Sequence, residues 1–370
     1  MKVPILDLKS QYMSFKEEIL KSFLDVFENA RFIKNKSVKS LEENFAAMHN
    51  VKHAIAVSSG TTALYVSLMA LGIKAGDEVI TTPFTFIATA NVIHELGAKP
   101  VFVDIDFDTF NIDFNKIEGK ITSKTKAIIP VHLFGQAADM DPIMEIANKY
   151  DLYVVEDAAQ AHISEYKGKR VGAFGDVGCF SLFPGKNLGA FGDGGIVTTN
   201  DDYLAGLIRE KSNNGIPVNG PKYLNQTTGL NFRLNELTAA IMLTYINSLE
   251  EWTKKRNQNA EKYREFLKNV DVSLPEVREG NYHVYHQFTL KSKRRDELKE
   301  FLTKNEIDSS VFYPVPLHLL PAYKHLGHKE GDFPISEMLA KEVISIPIGP
   351  NLTQDQIVFV CDKIKEFYSL

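Results

Sequence analysis

The stretch His53-Ala54-Ile55-Ala56-Val57-Ser58-Ser59-Gly60-Thr61-Thr62-Ala63-Leu64-Tyr65-Val66-Ser67-Leu68-Met69-Ala70-Leu71 decides the fold. Residues 53–58 read as a short apolar strand, and residues 61–71 as a helix that is apolar nearly all round and therefore buried. Between them, Ser58-Ser59-Gly60-Thr61 makes a tight turn at a helix start. Free N–H groups and the positive end of the helix dipole make such a turn an anion site, and Gly60 lets an anion approach the backbone. Taken alone, the same turn also describes an ordinary Ser/Thr cap.

Outward from this unit the same alternation continues. Residues 78–82, 99–104, 127–131, 152–155, 179–183 and 195–199 read as further strands, with helices at 87–96 and 140–150. Strand–helix alternation of this kind predicts an α/β domain with a mainly parallel sheet covered on both faces. From Arg233 to Ser273 there is no glycine or proline. Ile246, Leu249, Trp252, Tyr263, Phe266 and Leu267 fall at helical spacings there, predicting one or two long helices. From Pro275 onward a smaller α+β unit is expected, with a strand at 283–290 and a helix at 295–305. Thr353 and Gln356 form a capping box before a closing helix. The expected division is a large domain over 1–245, with its N-terminal segment free to pack on the small domain, and a small domain over 246–370.

Composition narrows the function classes. The 370 residues are 44% hydrophobic and 24% charged, with 42 basic against 47 acidic side chains and a net charge of −5. That balance argues against a nucleic-acid surface built on bulk charge. Cys179 and Cys361 are the only cysteines, so no disulfide framework is expected. The N-terminus lacks the apolar core of a signal peptide, and no apolar run reaches the roughly 18–20 residues that span a bilayer. A cytoplasmic protein with no nucleic-acid or membrane partner is expected.

Three further segments carry chemistry. Val154-Val155-Glu156-Asp157-Ala158-Ala159-Gln160 places Asp157 at the carboxyl end of an apolar parallel strand, which points it into the crevice where such sheets bind ligands. Asp157 could instead serve only as a helix cap, while Glu156 alternates to the opposite face. Phe180-Ser181-Leu182-Phe183-Pro184-Gly185-Lys186-Asn187-Leu188-Gly189-Ala190, followed by Gly192-Asp193-Gly194-Gly195, holds Lys186 on a tight turn, accessible to an aldehyde. Desolvation would lower its pKa toward nucleophilic competence; a solvated surface lysine is the bland alternative. Ser181, on the same strand and turn, is well placed to offer a hydroxyl to a phosphate. Gly229-Leu230-Asn231-Phe232-Arg233-Leu234-Asn235 opens the long helix.

In this order the motifs Ser-Gly-Thr, Glu-Asp-Ala-Ala-Gln, Ser-x-x-x-x-Lys-Asn and Gly-x-Asn-x-Arg-Leu resemble the DegT/DnrJ/EryC1/StrS family of nucleotide-sugar aminotransferases. The resemblance runs from Pro4-Ile5-Leu6-Asp7-Leu8 through Tyr313-Pro314-Val315-Pro316-Leu317-His318 to Ser345-Ile346-Pro347. It implies pyridoxal 5'-phosphate chemistry on the type I fold of aspartate aminotransferase: a mainly parallel, mixed seven-stranded sheet between helices, plus a small α+β C-terminal domain. Lys186 is implied as the Schiff-base lysine and proton carrier, and Asp157 as the partner of the ring nitrogen. Gly60, Thr61 and Ser181 would bind the phosphate, with Asn231 reaching it from the partner subunit of a homodimer. Phe86 would stack on the ring and Gln160 would hydrogen-bond its phenolic oxygen. No metal is implied.

Around Lys186 the pattern Lys-Asn-Leu-Gly-Ala-x-Gly-Asp-Gly-Gly is more similar to members that aminate C3 of a keto sugar than to those that aminate C4. His283-Val284-Tyr285-His286-Gln287 and the 313–318 segment also resemble the group acting on dTDP-linked 3-keto-6-deoxyhexoses. That likeness implies a nucleotide-linked keto sugar as substrate, glutamate as amino donor, and a place in amino-sugar biosynthesis for a surface glycan such as lipopolysaccharide O-antigen. Tyr313, His318, Arg233 and His286 would be sugar contacts. The sequence departs from the pattern at Ile163-Ser164, where Gly-Ala is common, at Phe183, where Tyr often stands, and at Thr238, where Gln is usual. A C4-aminotransferase and a non-catalytic PLP-binding regulator are the alternatives. A deoxygenating dehydratase is disfavoured because Lys186 is present where those relatives carry histidine.

Overall fold

The structure, a computed structural model, describes residues 1–221 and 223–369. Seven strands form the principal sheet: β1 (His53–Val57), β2 (Glu78–Thr81), β3 (Lys99–Phe102), β4 (Thr125–Ile128), β5 (Tyr153–Asp157), β6 (Val177–Ser181) and β7 (Gly195–Thr199). Their order is β1-β7-β6-β5-β4-β2-β3. Only β7 runs antiparallel to its neighbours, so the carboxyl ends of the other six strands open on one edge. The amino end of β7 meets that edge at Gly195.

The sheet separates two apolar layers, and the alternation of each strand decides which residue enters which. Ile55, Val57, Ala127, Val155, Cys179 and Val197 pack with Ala63, Leu64, Val66 and Leu68 of the helix Gly60–Ala70. Ala54, Ala56, Ile128, Val154, Phe180 and Ile196 point the other way, toward Leu41, Phe45, Ile143 and Ala147. Two buried faces explain why these strands read as continuous apolar runs. The helix Gly60–Ala70 has no polar stripe because it lies flat on the sheet, its Ser67 hydroxyl 3.3 Å from the Cys179 sulfur.

A separate core gathers Val3, Tyr263, Leu267, Leu298, Leu302, Ile357, Val360 and Ile364 around β8 (Phe288–Lys291) and β9 (Val343–Ile346), an antiparallel pair. Val3 joins this core by pairing with Ile307. The expected capping box is present: Thr353 N–H donates to Gln356 Oε1 at 3.0 Å, and Gln356 N–H to Thr353 Oγ1 at 3.2 Å. The glycine-free segment forms two α-helices, Glu236–Leu243 and Leu249–Leu267, joined by a 3-10 turn at Ile246–Ser248.

The strand expected at 283–290 is corrected to Phe288–Lys291 alone. Upstream of it, Asn281–Tyr282 pairs instead with Glu165–Tyr166, and Tyr285 adopts φ 44°. The backbone between is satisfied from elsewhere: Val284 N–H donates to Gly135 O, Gln287 N–H donates to Phe134 O, and Val284 O accepts from Asn187 Nδ2. With its polar groups so engaged, that stretch has no ladder to join. No helix among the described residues is long and apolar enough to cross a membrane.

Candidate active site

At the open edge of the sheet lies a cavity of about 610 Å³. It is lined from the sheet side by Ser59, Gly60, Thr61, Thr85, Phe86, Thr89, Asp157, Gln160, Ser181 and Lys186, and from the other side by Leu6, Arg256, His286, Ser310, Tyr313 and Ile348.

Asp157 ends β5 on the face that carries the helix Gly60–Ala70. One carboxylate oxygen accepts from the Thr89 hydroxyl at 2.8 Å and the other from Ala159 N–H at 3.2 Å. Burial raises its pKa, opposed by these bonds and by the positive charge of Lys186. No helix follows it, since residues 158–164 turn without helical structure; Asp157 therefore caps a turn and not a helix. Glu156 lies on the other face as the alternation requires. It is wholly buried and accepts from Gly172, Phe174 and Gly175 N–H groups at 2.7–2.8 Å, with His132 Nε2 at 3.0 Å. Burial works against its charge, but those donors and His132 hold its carboxyl below the usual range.

Lys186 closes a β-turn, its N–H donating to Phe183 O at 2.8 Å. Pro184 occupies the turn position whose φ the ring presets. The returning chain is pinned by Ala190 N–H to Leu182 O at 2.7 Å and by Tyr12 and Tyr245, whose hydroxyls both donate to Gly189 O, at 3.0 and 2.8 Å. The amine, shut in by protein yet open to the cavity, has its pKa pushed down to about 8 by burial, with Asp157 pulling the other way. A fraction of neutral amine is therefore present near pH 7, as nucleophilic attack on a carbonyl requires.

The helix start confirms a reciprocal cap: Ser59 Oγ accepts from Thr62 N–H at 3.1 Å and Thr62 Oγ1 accepts from Ser59 N–H at 2.8 Å. That leaves the N–H groups of Gly60 and Thr61 without a protein acceptor among the described residues. Gly60 presses against the end of β6, where a Cβ would stand 2.7 Å from Ser181 Cβ. Two backbone donors, a helix N-terminus and the Ser181 hydroxyl thus converge on one spot, a donor set suited to a phosphate.

Phe86 is 57% exposed, an aromatic face turned to the cavity. Gln160 Oε1 accepts from Phe134 N–H at 2.8 Å, which leaves its amide nitrogen to donate to the Tyr313 hydroxyl at 3.2 Å. His286 lines the same space, its Nδ1 3.3 Å from Asn187 Oδ1; burial and the nearby Lys186 and Arg256 charges hold it neutral.

Two expected sugar contacts lie elsewhere. His318 is corrected: it is 1% exposed and outside the lining. Its Nε2 meets Glu337 Oε1 at 3.0 Å and its ring packs on Phe333, because the proline segment ends in the 3-10 turn Leu317–Leu319 that faces it inward. Arg233 is likewise not a cavity residue of its own chain; its guanidinium donates to Asn231 Oδ1 at 2.9 Å and to Asn213 Oδ1 at 3.1 Å. Asn231 also stands outside the lining, on an exposed segment bonded to β1 through Ser58 N–H and Phe232 O. Sequence reasoning missed Thr89 and Arg256. Thr89 lies three residues beyond Phe86 on a helical turn, a signal too slight to single out. Arg256 follows Lys254 and Lys255 and passes for part of a solvated face.

Residues 13–365 match the DegT/DnrJ/EryC1/StrS aminotransferase family. The chain is 47% identical to the "Pleiotropic regulatory protein" of Geobacillus stearothermophilus, covering 100% of this chain and 99% of that one. It is 40% identical to the dTDP-3-amino-3,4,6-trideoxy-alpha-D-glucose transaminase of Streptomyces venezuelae, over 99% and 96% of the two chains. Among solved structures, S. venezuelae DesV in complex with a ketimine intermediate superposes with a TM-score of 0.96 at 40% identity, over 100% and 99% of the two chains. NtdA of Bacillus subtilis with bound cofactor PMP superposes with a TM-score of 0.93 at 31% identity, over 100% and 86%.

Proposed function

The chain belongs to the DegT/DnrJ/EryC1/StrS aminotransferase family, and from that premise we propose that it moves an amino group from glutamate to C3 of a dTDP-linked 3-keto-6-deoxyhexose, on the way to a surface-glycan amino sugar. It is an aminotransferase, and its cofactor is pyridoxal phosphate. The observation that carries the reading is one cavity holding Lys186, with its depressed pKa, beside a buried Asp157 and the free donors of Gly60 and Thr61.

The residues fit the cofactor. Gly60, Thr61 and Ser181 would hold its phosphate, Phe86 would lie against its ring, and Gln160 would donate to its phenolic oxygen. Asp157 would hold the proton on the ring nitrogen; burial alone disfavours its charge, and a cationic ring beside it would restore that charge. Bound there, the cofactor supplies an electron sink for the carbanion formed when a C–H bond beside nitrogen breaks. Lys186 would hold the cofactor at rest and, once displaced by the donor amine, take and return the proton at the reacting carbon. An amine with a pKa of about 8 suits both directions of that transfer near neutral pH. Tyr313 and His286, on the far wall, are the sugar contacts we propose.

Support for C3 comes from the Leu188-Gly189-Ala190 stretch after the lysine and from the 40% identical relative named for a 3-amino sugar. The test is to incubate the pyridoxamine form separately with 3-keto and 4-keto isomers of one dTDP-hexose and locate the new C–N bond by NMR. Nitrogen at C3, with consumption of the 3-keto isomer at least about tenfold faster, is the expected outcome. Nitrogen at C4 would move the assignment to a 4-aminotransferase. The name of the Geobacillus relative favours a regulatory reading; cofactor binding without conversion by any amino donor would support that reading over ours. We further propose a homodimer in which Asn231 completes the partner's phosphate site.

A further inference from the structure

We infer that Arg256 anchors the carboxylate of the amino-acid donor, an inference that rests on the aminotransferase reading. Arg256 sits midway along the helix Leu249–Leu267. It is 2% exposed yet lines the cavity that holds Lys186. Its NH1 donates to Tyr285 O at 3.1 Å, and its Nε meets no acceptor among the described residues. No carboxylate of the described chain lies within ion-pairing distance. The ionisable groups that interact with it among the described residues, Tyr12 and His286, are a phenol and an imidazole that burial keeps neutral. Burial lowers the guanidinium only to about 10, so it stays charged at neutral pH.

A buried cation with a vacant donor and no counter-ion is costly unless an anion arrives. Two anion classes could answer, a carboxylate or a phosphate, and the geometry points to the carboxylate. The phosphate donors at Gly60, Thr61 and Ser181 form a separate cluster. A diphosphate flanked by a bulky nucleoside fits a guanidinium only 2% exposed less well than a small carboxylate does. A donor amino acid has its carboxylate on the carbon that bears the reacting nitrogen, so an anchor lining the same cavity as Lys186 is where it is needed. The planar guanidinium matches a carboxylate with two parallel N–H donors.

The test is calorimetric titration of the holoenzyme and of its Arg256→Met and Arg256→Lys forms with glutarate and, separately, with dTDP. Glutarate binding is expected to weaken by about 30-fold or more in Arg256→Met and by less in Arg256→Lys, with dTDP binding kept within about threefold. The half-reaction with glutamate should fall in parallel while the half-reaction with the keto sugar does not. Loss of dTDP binding with glutarate retained, equal loss of both in both variants, or no change in either would overturn the inference, as would a wild-type holoenzyme that fails to bind glutarate. If the wild type aminates no keto sugar but binds glutarate through Arg256, the sugar reading falls and the anchor stands.

Discussion

On β5, Glu156 and Asp157 are both buried carboxylates one bond apart in the chain, and strand alternation sends them into different chemistry. Glu156 gathers three backbone N–H groups and His132, and its pKa falls. Asp157 meets one hydroxyl and one N–H, and its pKa rises. The first is a structural anchor with every lone pair engaged; the second is held ready for a cation. Lys186 depends on Asp157 in turn, since that carboxylate is what offsets burial of the amine. In the wild type, capture of pyridoxal phosphate by the apo-protein should speed up as pH rises through about 8 and level off above, if the neutral Lys186 amine is the nucleophile as proposed. In Asp157→Asn the offset is gone, so the midpoint should move to lower pH, and the half-reaction with glutamate should slow by about a hundredfold or more. Stopped-flow absorbance across pH reads both. Profiles that superimpose would remove Asp157 from the site.

The element that presents the lysine is a loop pinned at both ends. Leu182 pairs back to Gly194 and Ala190 to Leu182, while Tyr12 and Tyr245 grip Gly189 O from one side. Those two rings belong to an aromatic cluster with Phe15, Phe191 and Trp252, so a helix near the N-terminus and the segment before Leu249–Leu267 both support the turn. Gly189 is required by contact: a Cβ there would stand 2.2 Å from Pro184 O, a backbone atom that cannot swing aside. Gly189→Ala should cost about 1–3 kcal/mol of stability and lower the transamination rate by more than stability alone explains, since a shift near 1 Å can cost about a hundredfold. Gly185→Ala is the control, because its Cβ would meet only the Phe183 ring at 3.8 Å. Denaturation midpoints and kcat measured together decide the point; a Gly189→Ala protein matching wild type in both would show that the loop moves freely.

At the scale of the whole molecule, one run of exposed apolar side chains lies beside the segment that carries Asn231. On the helix Lys16–Asn29, Leu20, Phe23, Leu24 and Phe27 are 41–61% exposed. Phe32 and Ile33 continue the stripe and pair directly with the start of the helix Glu236–Leu243 through Ile33 and Asn235. Asn231 and Leu230 lie just upstream, outside their own chain's cavity. A two-fold contact over this surface would bury the stripe and carry Asn231 toward the partner, using one patch twice. Sedimentation of the holoenzyme at assay concentration should show a dimer, and Asn231→Ala should weaken cofactor binding by about tenfold. A fully active monomer would dispose of the arrangement.

The strand–turn–helix unit of residues 53–71, the seven-strand alternation, the placement of Asp157 at a strand end and the paired cap at Thr353 and Gln356 were legible in the amino-acid order, because each depends on neighbours within a few positions. Periodicity, caps and turn residues are local physics. The absence of a strand between Tyr282 and Phe288 was not legible, because the backbone groups of Val284 and Gln287 are claimed by Phe134, Gly135 and Asn187, far away in the chain. The order of residues marks His318 as a ligand contact by resemblance, whereas Glu337 and Phe333 enclose it in the fold. Arg256 does not stand out beside Lys254 and Lys255, because its burial and its contacts with Tyr12 and Tyr285 come from residues distant in the chain. Sequence alone placed Gly60, Asp157, Ser181 and Lys186 at the open edge of the sheet. Tertiary packing decided which of them keep a free donor or acceptor there, since burial and hydrogen-bond satisfaction are properties of groups distant in sequence and adjacent in space.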